Sequence, residues 1–324
     1  MRQRKIHLKL PILKMPQSNI LPPLIVLLGP TAVGKTKLSL ELAKCLEAEI
    51  ISVDSRLFYR GMNIGTAKPG AEELANVPHH LVDVAEPDQI WSLGKFQKEA
   101  LQIIKDIHHR GKIPLCVGGT GQYIRAITEG WSIPEIKENP GLRIALRNWC
   151  EEIGKEGLYQ RLKIIDPDAV EKIDPRNVRR TVRALEVIFS TGRRFSQQRS
   201  RFTIPYRVLQ IGLTRPREEL YKRIDQRVDA MITAGFLREV QALLETYSPD
   251  LRSFSAIGYS QMIKHLQGQI TLEETVQEIK KQTRRFVGRQ YAWFKPADPD
   301  IHWYSMKEDT LEKVVEIVEQ FLIT

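Results

Sequence analysis

The sequence from Gly29 to Thr36, GPTAVGKT, has the spacing of a phosphate-binding loop and directly follows the apolar run Leu24–Leu28. In this order, a strand, a glycine-rich loop and a helix place backbone N–H groups around a phosphate at the helix N-terminus. The pattern predicts that Lys35 supplies a positive charge and that Thr36 binds Mg²⁺ at the start of a helix over Lys37–Leu46. The chain is therefore expected to bind a polyphosphate, which the loop alone does not identify.

Later apolar runs also predict buried strands, with helical patterns such as Phe96–His108 between several of them. These runs are Ile50–Val53, Leu81–Val84, Ile113–Val117 and Val208–Leu213. The alternation predicts an α/β protein with a parallel sheet and helices on both faces. Because ligands bind at the carboxyl ends of the strands in such sheets, Gly29, Asp54 and Gly118–Thr120 are candidate site residues.

The pattern changes between Trp131 and Pro205, where charged helices are interrupted by prolines. We predict that residues 131–205 form a helical insertion in a core made of residues 22–130 and 206–324. The helices predicted after the last of these strands are Arg217–Ala234, Phe236–Tyr247, Ser260–Gln267 and Leu272–Trp293.

Residues 1–21 begin with the basic sequence Met1–Lys5, followed by apolar residues that Pro11 and Lys14 interrupt. No small-residue cleavage site follows, which argues against a signal peptide. We interpret this segment as a disordered basic tail or as the product of an upstream start codon, and a transit peptide is the alternative.

The formal net charge of +10 over 324 residues predicts a polyanionic partner in addition to the small phosphate ligand, with general solubility as the alternative. Cys45, Cys116 and Cys150 are widely spaced and odd in number. They argue against a disulfide framework and a zinc site, and they indicate a reducing, cytoplasmic compartment. No apolar stretch reaches the length of a membrane span, so we expect no membrane partner, and we expect a monomer.

Asp54 and the segment Gly118–Gly121 each allow more than one role. Asp54 can bind Mg²⁺, act as a general base on an acceptor opposite the phosphates, or cap a helix. In Gly118–Gly121, the backbone N–H groups and the Thr120 hydroxyl can contact a second face of the polyphosphate, or the segment can be a tight turn between a strand and a helix. Spacing alone leaves these alternatives open.

Two clusters of basic residues have helical spacing. The first, the arginine stripe, consists of Arg176, Arg179, Arg180 and Arg183. The second, the C-terminal basic cluster, consists of Lys280, Lys281, Arg284, Arg285 and Arg289, interleaved with Phe286, Tyr291, Trp293 and Phe294. Unbalanced arginines favour phosphate contacts over a solvated face, and the aromatic rings can stack on unpaired bases or pack in the core.

Two further groups are candidates for weaker reasons. Arg223 and Arg227 lie four residues apart on one predicted helical face, where one or both can stabilise the charge of a leaving group. The pair His79-His80 has no third ligand nearby in the sequence, which favours a core or capping role over metal binding.

The chain resembles the tRNA dimethylallyltransferases, the IPP transferase family, over residues 22–305. The segments that carry the resemblance are Gly29–Thr36, Ser52–Ser55, Tyr59–Pro69, Val117–Thr120, Arg183–Glu186 and Gly258–Gln261. The resemblance implies a P-loop nucleoside-kinase-like core with a helical insertion. It also implies transfer of the dimethylallyl group from dimethylallyl diphosphate to N6 of the adenosine at tRNA position 37, next to the anticodon, with release of diphosphate and with Mg²⁺ as cofactor.

The same resemblance assigns roles to individual residues. It makes Asp54 the general base, with Thr120 and Arg227 as the other catalytic residues. The residues implied to bind the diphosphate are Gly29, Pro30, Thr31, Ala32, Val33, Gly34, Lys35 and Thr36. Those implied to contact the tRNA anticodon stem-loop are Asp54, Ser55, Arg56, Leu57, Arg143, Arg179, Arg180, Thr181, Val182, Arg183, Arg285 and Arg289, with the regions Ser255–Ser260 and Gln282–Gln290.

This sequence departs from the family pattern at Leu57, where many members have glutamine. Three other functions are alternatives. A small-molecule kinase would use ATP on the same loop, and a free-adenylate isopentenyltransferase would share the chemistry but not the polymer. A nucleic-acid-dependent ATPase is the third alternative, and no set of helicase motifs supports it.

Overall fold

The computed structural model describes residues 21–134, 139–198 and 200–323. The chain divides into two compact units. One contains the described residues up to Thr128 together with those from Pro205 onward, and the other is Glu129–Ile204. The predicted basic tail, residues 1–21, lies outside the described residues except for Leu21. Among the described helices, none combines the length and the apolar character needed to cross a membrane.

The first unit is built on a parallel sheet. Its strands are β1 Pro23–Leu28, β2 Ala48–Val53, β3 His79–His80, β4 Ile113–Gly118, β5 Arg207–Thr214 and β6 Ile301–Ser305. The strand order is β3-β2-β4-β1-β5-β6. β1 therefore lies between β4 and β5, where Leu24–Leu28 are buried because helices cover both faces of the sheet. The predicted α/β class with a parallel sheet is confirmed.

Several of the helices begin at a residue whose side chain caps the first turn. They are α1 Lys35–Leu46, α2 Ala71–Asn76, α3 Leu93–His109, α4 Gly121–Thr128, α5 Pro140–Ile165, α6 Pro167–Val170, α7 Val178–Thr191, α8 Arg217–Thr233, α9 Phe236–Thr246, α10 Tyr259–Leu266, α11 Leu272–Trp293 and α12 Thr310–Ile323. At α11, Thr271 Oγ1 accepts a hydrogen bond from the Glu274 N–H at 3.1 Å, and Glu274 accepts one from the Thr271 N–H at 2.8 Å. This reciprocal capping fixes the start of the helix that carries the C-terminal basic cluster.

The predicted strand Leu81–Val84 is wrong. Leu81 and Asp83 have φ of +59° and +54°, which a strand cannot contain, and His79–His80 pairs with β2 instead. The Asp83 carboxylate accepts a hydrogen bond from Lys68, whose buried ammonium also donates to the Tyr59 carbonyl at 2.8 Å. The chain therefore bends around this lysine. β6 was not predicted, because it is a partly exposed edge strand with a mixed pattern.

The second unit is helical and has its own core. α5 is interrupted at Gly154, which has φ +75° and ψ +162°. The core packs apolar residues of α5, α6 and α7, including Leu158, Leu162 and Leu185. Buried Asp166 accepts hydrogen bonds from the Ser196 N–H at 2.8 Å and the Ser196 hydroxyl at 2.6 Å. This carboxylate therefore ties the segment after α7 to the start of α6.

Glu49 forms a partly buried ionic network in β2. Its Oε2 lies 2.7 Å from His80 Nε2 and accepts a hydrogen bond from Arg110 Nη2, also at 2.7 Å. Burial alone would raise the pKa of Glu49, but hydrogen bonds from Arg110 and His80 outweigh it and hold the pKa below its usual value. His79 Nδ1 lies 2.7 Å from the Val77 carbonyl oxygen. Both histidines thus have structural partners.

We expect Glu49→Gln to lower the free energy of unfolding at pH 7 by about 1–2 kcal/mol, because charged hydrogen bonds are lost. A carboxyl whose pKa is lower in the folded state stabilises the fold above its unfolded pKa, and this contribution is lost as pH falls through the folded pKa. Urea unfolding at pH 7 and in acid should therefore show a difference between wild type and variant that shrinks in acid. Exposed Glu99→Gln is the matched control, and an equal loss there, or a difference that persists in acid, would contradict this assignment.

Candidate functional site

The register of the sheet brings the ends of three neighbouring strands together. Leu28 of β1 and Val53 of β2 both lie opposite Gly118 of β4. The residues that follow these positions are Gly29, Asp54 and Gly119. Three segments that were separate in the sequence therefore meet at one edge of the sheet.

The backbone conformation of the phosphate-binding loop requires glycine at two positions. Gly29 and Gly34 have φ of +151° and +114°, and a Cβ on Gly29 would lie 2.7 Å from the carbonyl oxygen of Leu213. α1 then begins at Lys35, with no acidic residue in its first turn. The loop thus places the N–H groups of a helix N-terminus next to a positive side chain, as anion binding requires.

The Lys35 side chain lies over this loop. Its ammonium donates hydrogen bonds to the carbonyl oxygens of Gly29 at 2.9 Å and Pro30 at 2.8 Å. Burial lowers the pKa of Lys35 to about 8, while Asp54 opposes this lowering and Arg227 adds to it. Lys35, Asp54 and Arg227 are therefore electrostatically coupled.

Arg227 of α8 connects the loop to the segment Tyr59–Pro69. Its guanidinium donates hydrogen bonds to Thr31 Oγ1 at 3.3 Å and to the Thr66 carbonyl at 3.2 Å. Burial lowers the pKa of Arg227, against the opposing effect of Asp54. The predicted grouping of Arg227 with the loop is thus present in the structure, although its role in binding a ligand stays a prediction.

Two more arginines donate hydrogen bonds to carbonyl groups of the phosphate-binding loop. Arg223 Nε donates to the Ala32 carbonyl at 2.8 Å, and Arg215 Nε donates to the Val33 carbonyl at 2.7 Å. Arg215 was not predicted from the sequence. Its position directly after β5, a strand that pairs with β1, is the signal that could have identified it.

Asp54 caps a turn and not a helix. Its Oδ1 accepts a hydrogen bond from the Arg56 N–H at 3.0 Å, and its carbonyl accepts one from the Leu57 N–H at 3.2 Å. Asp54 is followed by a turn, so the helix-cap alternative is wrong. The choice between a general base and a Mg²⁺ ligand stays open on geometry alone.

The glycines after β4 are required by close packing. A Cβ on Gly118 would lie 2.3 Å from the Val53 carbonyl oxygen, and one on Gly119 would lie 2.3 Å from Gln290 Nε2. Neither glycine has a positive φ. Thr120 follows, and its carbonyl accepts N–H groups of the first turn of α4. The segment is therefore a tight turn between a strand and a helix, and contact of Thr120 with a phosphate stays a prediction.

Arg56, predicted to contact tRNA, uses its guanidinium within the chain. It donates to the Ser253 carbonyl at 3.1 Å and to the Ser255 hydroxyl at 3.2 Å. Burial lowers its pKa, with nearby Asp54 acting in the opposite direction. Ser55 and Leu57 are half-buried beside it. Arg56 thus holds the turn after Asp54 against residues Ser253 and Ser255, at the edge of the predicted tRNA-contacting region Ser255–Ser260.

Only part of the predicted arginine stripe is helical, because α7 begins at Val178 and Arg176 precedes it. Arg179 and Arg180 are exposed, while Arg183 and Arg143 lie 2.8 and 2.7 Å from the carboxylate of buried Glu186. Arg176 pairs with Asp174 at 2.7 Å. The side chains of Thr181 and Val182 are buried, so tRNA contact through these side chains is not supported.

The C-terminal basic cluster on α11 contains two exposed arginines and three residues that pair with acidic side chains. Arg285 and Arg289 are exposed, whereas three others pair with acidic side chains: Lys280 with Asp229, Lys281 with Glu278, and Arg284 with Asp225. Phe294 is buried in the core, and Trp293 packs so closely on Gly121 that a Cβ there would lie 2.3 Å from Trp293 Cγ. The alternative of core packing therefore holds for Phe294.

Gln290 is a site residue whose side-chain role was not predicted. It ends the range Gln282–Gln290 that was expected to contact tRNA, but it is only 6% exposed. Its Oε1 accepts a hydrogen bond from the Thr31 N–H at 2.8 Å, and its Nε2 donates to the Gly119 carbonyl at 3.2 Å. The sequence offered only an amide among the charged residues of this helix, and the burial of that amide is seen only in the structure.

The residues present fit a Mg²⁺ ion held mainly by ligand oxygens. Thr36 is exposed at the start of α1, where a loop-bound phosphate would lie. The described residues contain no group of three or more His, Cys, Asp or Glu side chains suited to a metal. Mg²⁺ commonly uses only one or two protein ligands, with phosphate oxygens and water completing its coordination.

A phosphate-binding loop after an inner strand of a parallel sheet, with an aspartate after a nearby strand, defines a P-loop α/β protein. The family model described as IPP transferase matches residues 57–297. The chain belongs to this family, and both the predicted resemblance and the nucleoside-kinase-like fold are confirmed.

Individual relatives match over most of their length. The tRNA dimethylallyltransferase of Roseiflexus castenholzii is 48% identical over 299 residues, which cover 92% of this chain and 98% of that protein. A tRNA isopentenylpyrophosphate transferase from Bacillus halodurans has a TM-score of 0.68 at 40% identity, covering 93% of this chain and 95% of that one. A eukaryotic dimethylallyltransferase acting on tRNA has a TM-score of 0.80 at 28% identity, covering 93% and 80%.

Proposed function

We propose that this chain transfers the dimethylallyl group of dimethylallyl diphosphate to N6 of the adenosine next to the tRNA anticodon. The observation that carries the proposal is the meeting of the phosphate-binding loop, Asp54 and the Gly119-Thr120 turn at adjacent strand ends. One side of this site suits a diphosphate, and Asp54 supplies a carboxylate for the acceptor. The names of the relatives support the same reaction.

The phosphate-binding loop holds the diphosphate, which is the leaving group. As the bond between the allylic carbon and oxygen breaks, the electron pair departs with the diphosphate, and negative charge increases there. Lys35, Arg227 and the N–H groups at the start of α1 stabilise that charge as it develops. Thr31 and Thr120 position the diphosphate beside them.

Asp54 acts on the acceptor. The adenine amino group is a poor nucleophile because its lone pair is delocalised into the ring, so its position and its proton must both be controlled. The bond from N6 to the allylic carbon forms, and the N6 proton passes to the Asp54 carboxylate. The hydrogen bond from the Arg56 N–H to Oδ1 orients this carboxylate.

Thr36 and the diphosphate oxygens would hold Mg²⁺. When bound, the ion neutralises part of the charge on the diphosphate. The protein residues nevertheless have separate tasks, since Lys35 and Arg227 act on the leaving group and Asp54 acts on the acceptor.

Exposed arginines bind the tRNA backbone. Arg179 and Arg180 on α7, and Arg285 and Arg289 on α11, have the charge and exposure that phosphate contacts need. The target adenine must leave its stack, which costs a few kcal/mol and is easiest in a loop such as the anticodon arm. Phosphate contacts offset that cost.

The function is tested by mixing purified protein with dimethylallyl diphosphate, Mg²⁺ and unmodified tRNA, and by measuring the masses of the nucleosides. A prenylated adenosine is the expected product. Parallel reactions with AMP as acceptor, and with ATP in place of the prenyl donor, separate the alternatives. Prenylation of AMP in preference to tRNA, or phosphoryl transfer from ATP without prenylation, would contradict the proposal.

Arg179→Ala and Arg285→Ala are each expected to weaken tRNA binding and to reduce its salt slope by about one unit for each phosphate that the protein no longer neutralises. Filter binding over a range of salt concentrations measures the slope. Arg238→Ala removes a charge from an exposed position on α9 and is the matched control. A slope that changes equally in the control, or not at all in the test variants, would show that these two arginines are solvated surface.

A further inference from the structure

Gln290 joins the two backbone segments that face the proposed diphosphate site. Its side-chain oxygen accepts the Thr31 N–H, and its side-chain nitrogen donates to the Gly119 carbonyl. The first segment is the phosphate-binding loop after β1, and the second is the turn after β4. One amide therefore links these two segments just beyond the point where the pairing of β1 with β4 ends.

Gln290 is closely packed in this position. Gln290 is 6% exposed, and a Cβ on Gly119 would lie 2.3 Å from Gln290 Nε2 and 2.9 Å from the Gly29 carbonyl oxygen. Glycine at 119 thus leaves the space that the amide occupies. Gln290 and Gly119 are therefore joined by a hydrogen bond as well as by close packing.

Thr31 is held through its backbone N–H and through its hydroxyl. Gln290 accepts its backbone N–H, and Arg227 donates to its hydroxyl. The peptide of Thr31 is therefore fixed before a ligand arrives. A loop whose peptides already have the required orientation loses less free energy on binding an anion.

We propose that Gln290 is a positioning residue for diphosphate binding, which acts by fixing the Thr31 peptide and the Gly119-Thr120 turn relative to each other. This inference rests on the proposed function and deepens it. Gln290 does not touch the reacting atoms. Its two hydrogen bonds set the relative position of the two segments that bind the diphosphate.

Two variants separate the hydrogen bonds from the volume of the side chain. Gln290→Met keeps a similar length and loses both hydrogen bonds. Gln290→Glu can still accept the Thr31 N–H but cannot donate to Gly119, and it places a carboxylate beside a site for a diphosphate. Gly119→Ala approaches the same contact from the other side, because its new methyl group must displace the amide.

The matched control is Gln97→Met. Gln97 is also buried, and its Nε2 donates to the Ala126 carbonyl at 2.6 Å within the α3–α4 pair. Loss of this hydrogen bond affects stability without touching the phosphate-binding loop. Thermal unfolding of every variant then shows how much of any effect comes from the loss of folded protein.

Binding of inorganic diphosphate to the folded proteins is measured by calorimetry, and steady-state prenyl transfer is measured in parallel. We expect Gln290→Met to weaken diphosphate binding by about 10- to 100-fold, since small displacements of positioning groups have effects of this size. Gln290→Glu should weaken it further because of charge repulsion. The KM for tRNA and tRNA affinity should stay near the wild-type values, and Gln97→Met should bind diphosphate normally.

The inference is overturned if Gln290→Met binds diphosphate within about twofold of wild type, or if Gln97→Met shows the same loss at equal stability. Failure of the proposed function is a separate result. If wild type does not prenylate tRNA but Gln290→Met still loses diphosphate binding, the positioning role stands and the reaction is wrong. If wild type prenylates tRNA and the variant keeps both affinity and turnover, only the positioning role is wrong.

Discussion

Replacing Asp54 with asparagine should lower prenyl transfer by at least about 100-fold while tRNA affinity stays nearly unchanged. The two side chains have the same size, and Oδ1 of asparagine can still accept the hydrogen bond from the Arg56 N–H that orients the turn. What is lost is the ability to take up the proton from N6. Single-turnover transfer and filter binding of tRNA measure the two quantities separately.

Asp88→Asn provides the control for this change, because Asp88 is exposed and lies outside the strand-end site. It should leave both turnover and tRNA affinity unchanged. Near-normal turnover of Asp54→Asn would eliminate the general-base role. A parallel loss of diphosphate affinity would favour the alternative in which Asp54 acts mainly through Mg²⁺.

Lys35→Met is expected to weaken diphosphate binding by about 100-fold at pH 7, since it removes the charge that we propose stabilises the leaving group. In the unliganded protein the pKa of Lys35 is about 8, and an anion binds the protonated form. Wild-type affinity should therefore fall as pH rises above 8. The ratio of wild-type to variant affinity is the useful quantity, because titration of diphosphate itself cancels in it.

The ratio of wild-type to Lys35→Met affinity for diphosphate should fall toward one between pH 8 and 10, with a limiting slope of about tenfold per pH unit. Exposed Lys44→Met, on the same helix, should bind like wild type at every pH. A ratio that does not change with pH would show that Lys35 stays fully protonated in the unliganded site. An affinity loss equal to that of the control would exclude Lys35 from the site.

The pH dependence of stability gives an independent check that the pKa of Lys35 is lowered in the folded protein. Because the pKa of Lys35 is lower in the folded state than the ordinary 10.5, the unfolded chain binds more protons between pH 8 and 10.5. The contribution of Lys35 to stability is thus unfavourable below pH 8 and is relieved as pH rises. The stability of wild type relative to Lys35→Met should therefore rise between pH 8 and 10.5, and urea unfolding of both proteins measures this change and shows whether the variant is folded at pH 7.

Much of the fold followed from local pattern. The strands at Leu24–Leu28 and Ile50–Val53 were correct because buried parallel strands have continuous apolar runs. The helix Leu272–Trp293 was also correct, and the capping box at Thr271 explains where it begins. The strand at Leu81–Val84 failed for a tertiary reason. Lys68 and Asp83 pair there, and the chain bends around them.

The site was predicted in part. Glycine spacing identified the loop, and Asp54 was found because it ends a strand. Arg215 was missed, and Gln290 was predicted only as part of a tRNA-contacting range, since each acts through a backbone group that is far away in the sequence. Among the residues predicted to contact tRNA, Arg179 and Arg285 are exposed, whereas Thr181 and Val182 are buried. The sequence alone did not distinguish these two groups.

The sequence by itself determined that this protein has a phosphate-binding loop on a parallel sheet, because loop, strand and helix signals are local and their order is fixed by covalent connection. Only the tertiary structure decided which distant residues complete the site. Parallel pairing of β1, β4 and β2 places Gly29, Gly119 and Asp54 side by side, and α11 returns Gln290 from the far end of the chain to join two of these segments. Such contacts depend on packing across the whole unit, which no local pattern specifies.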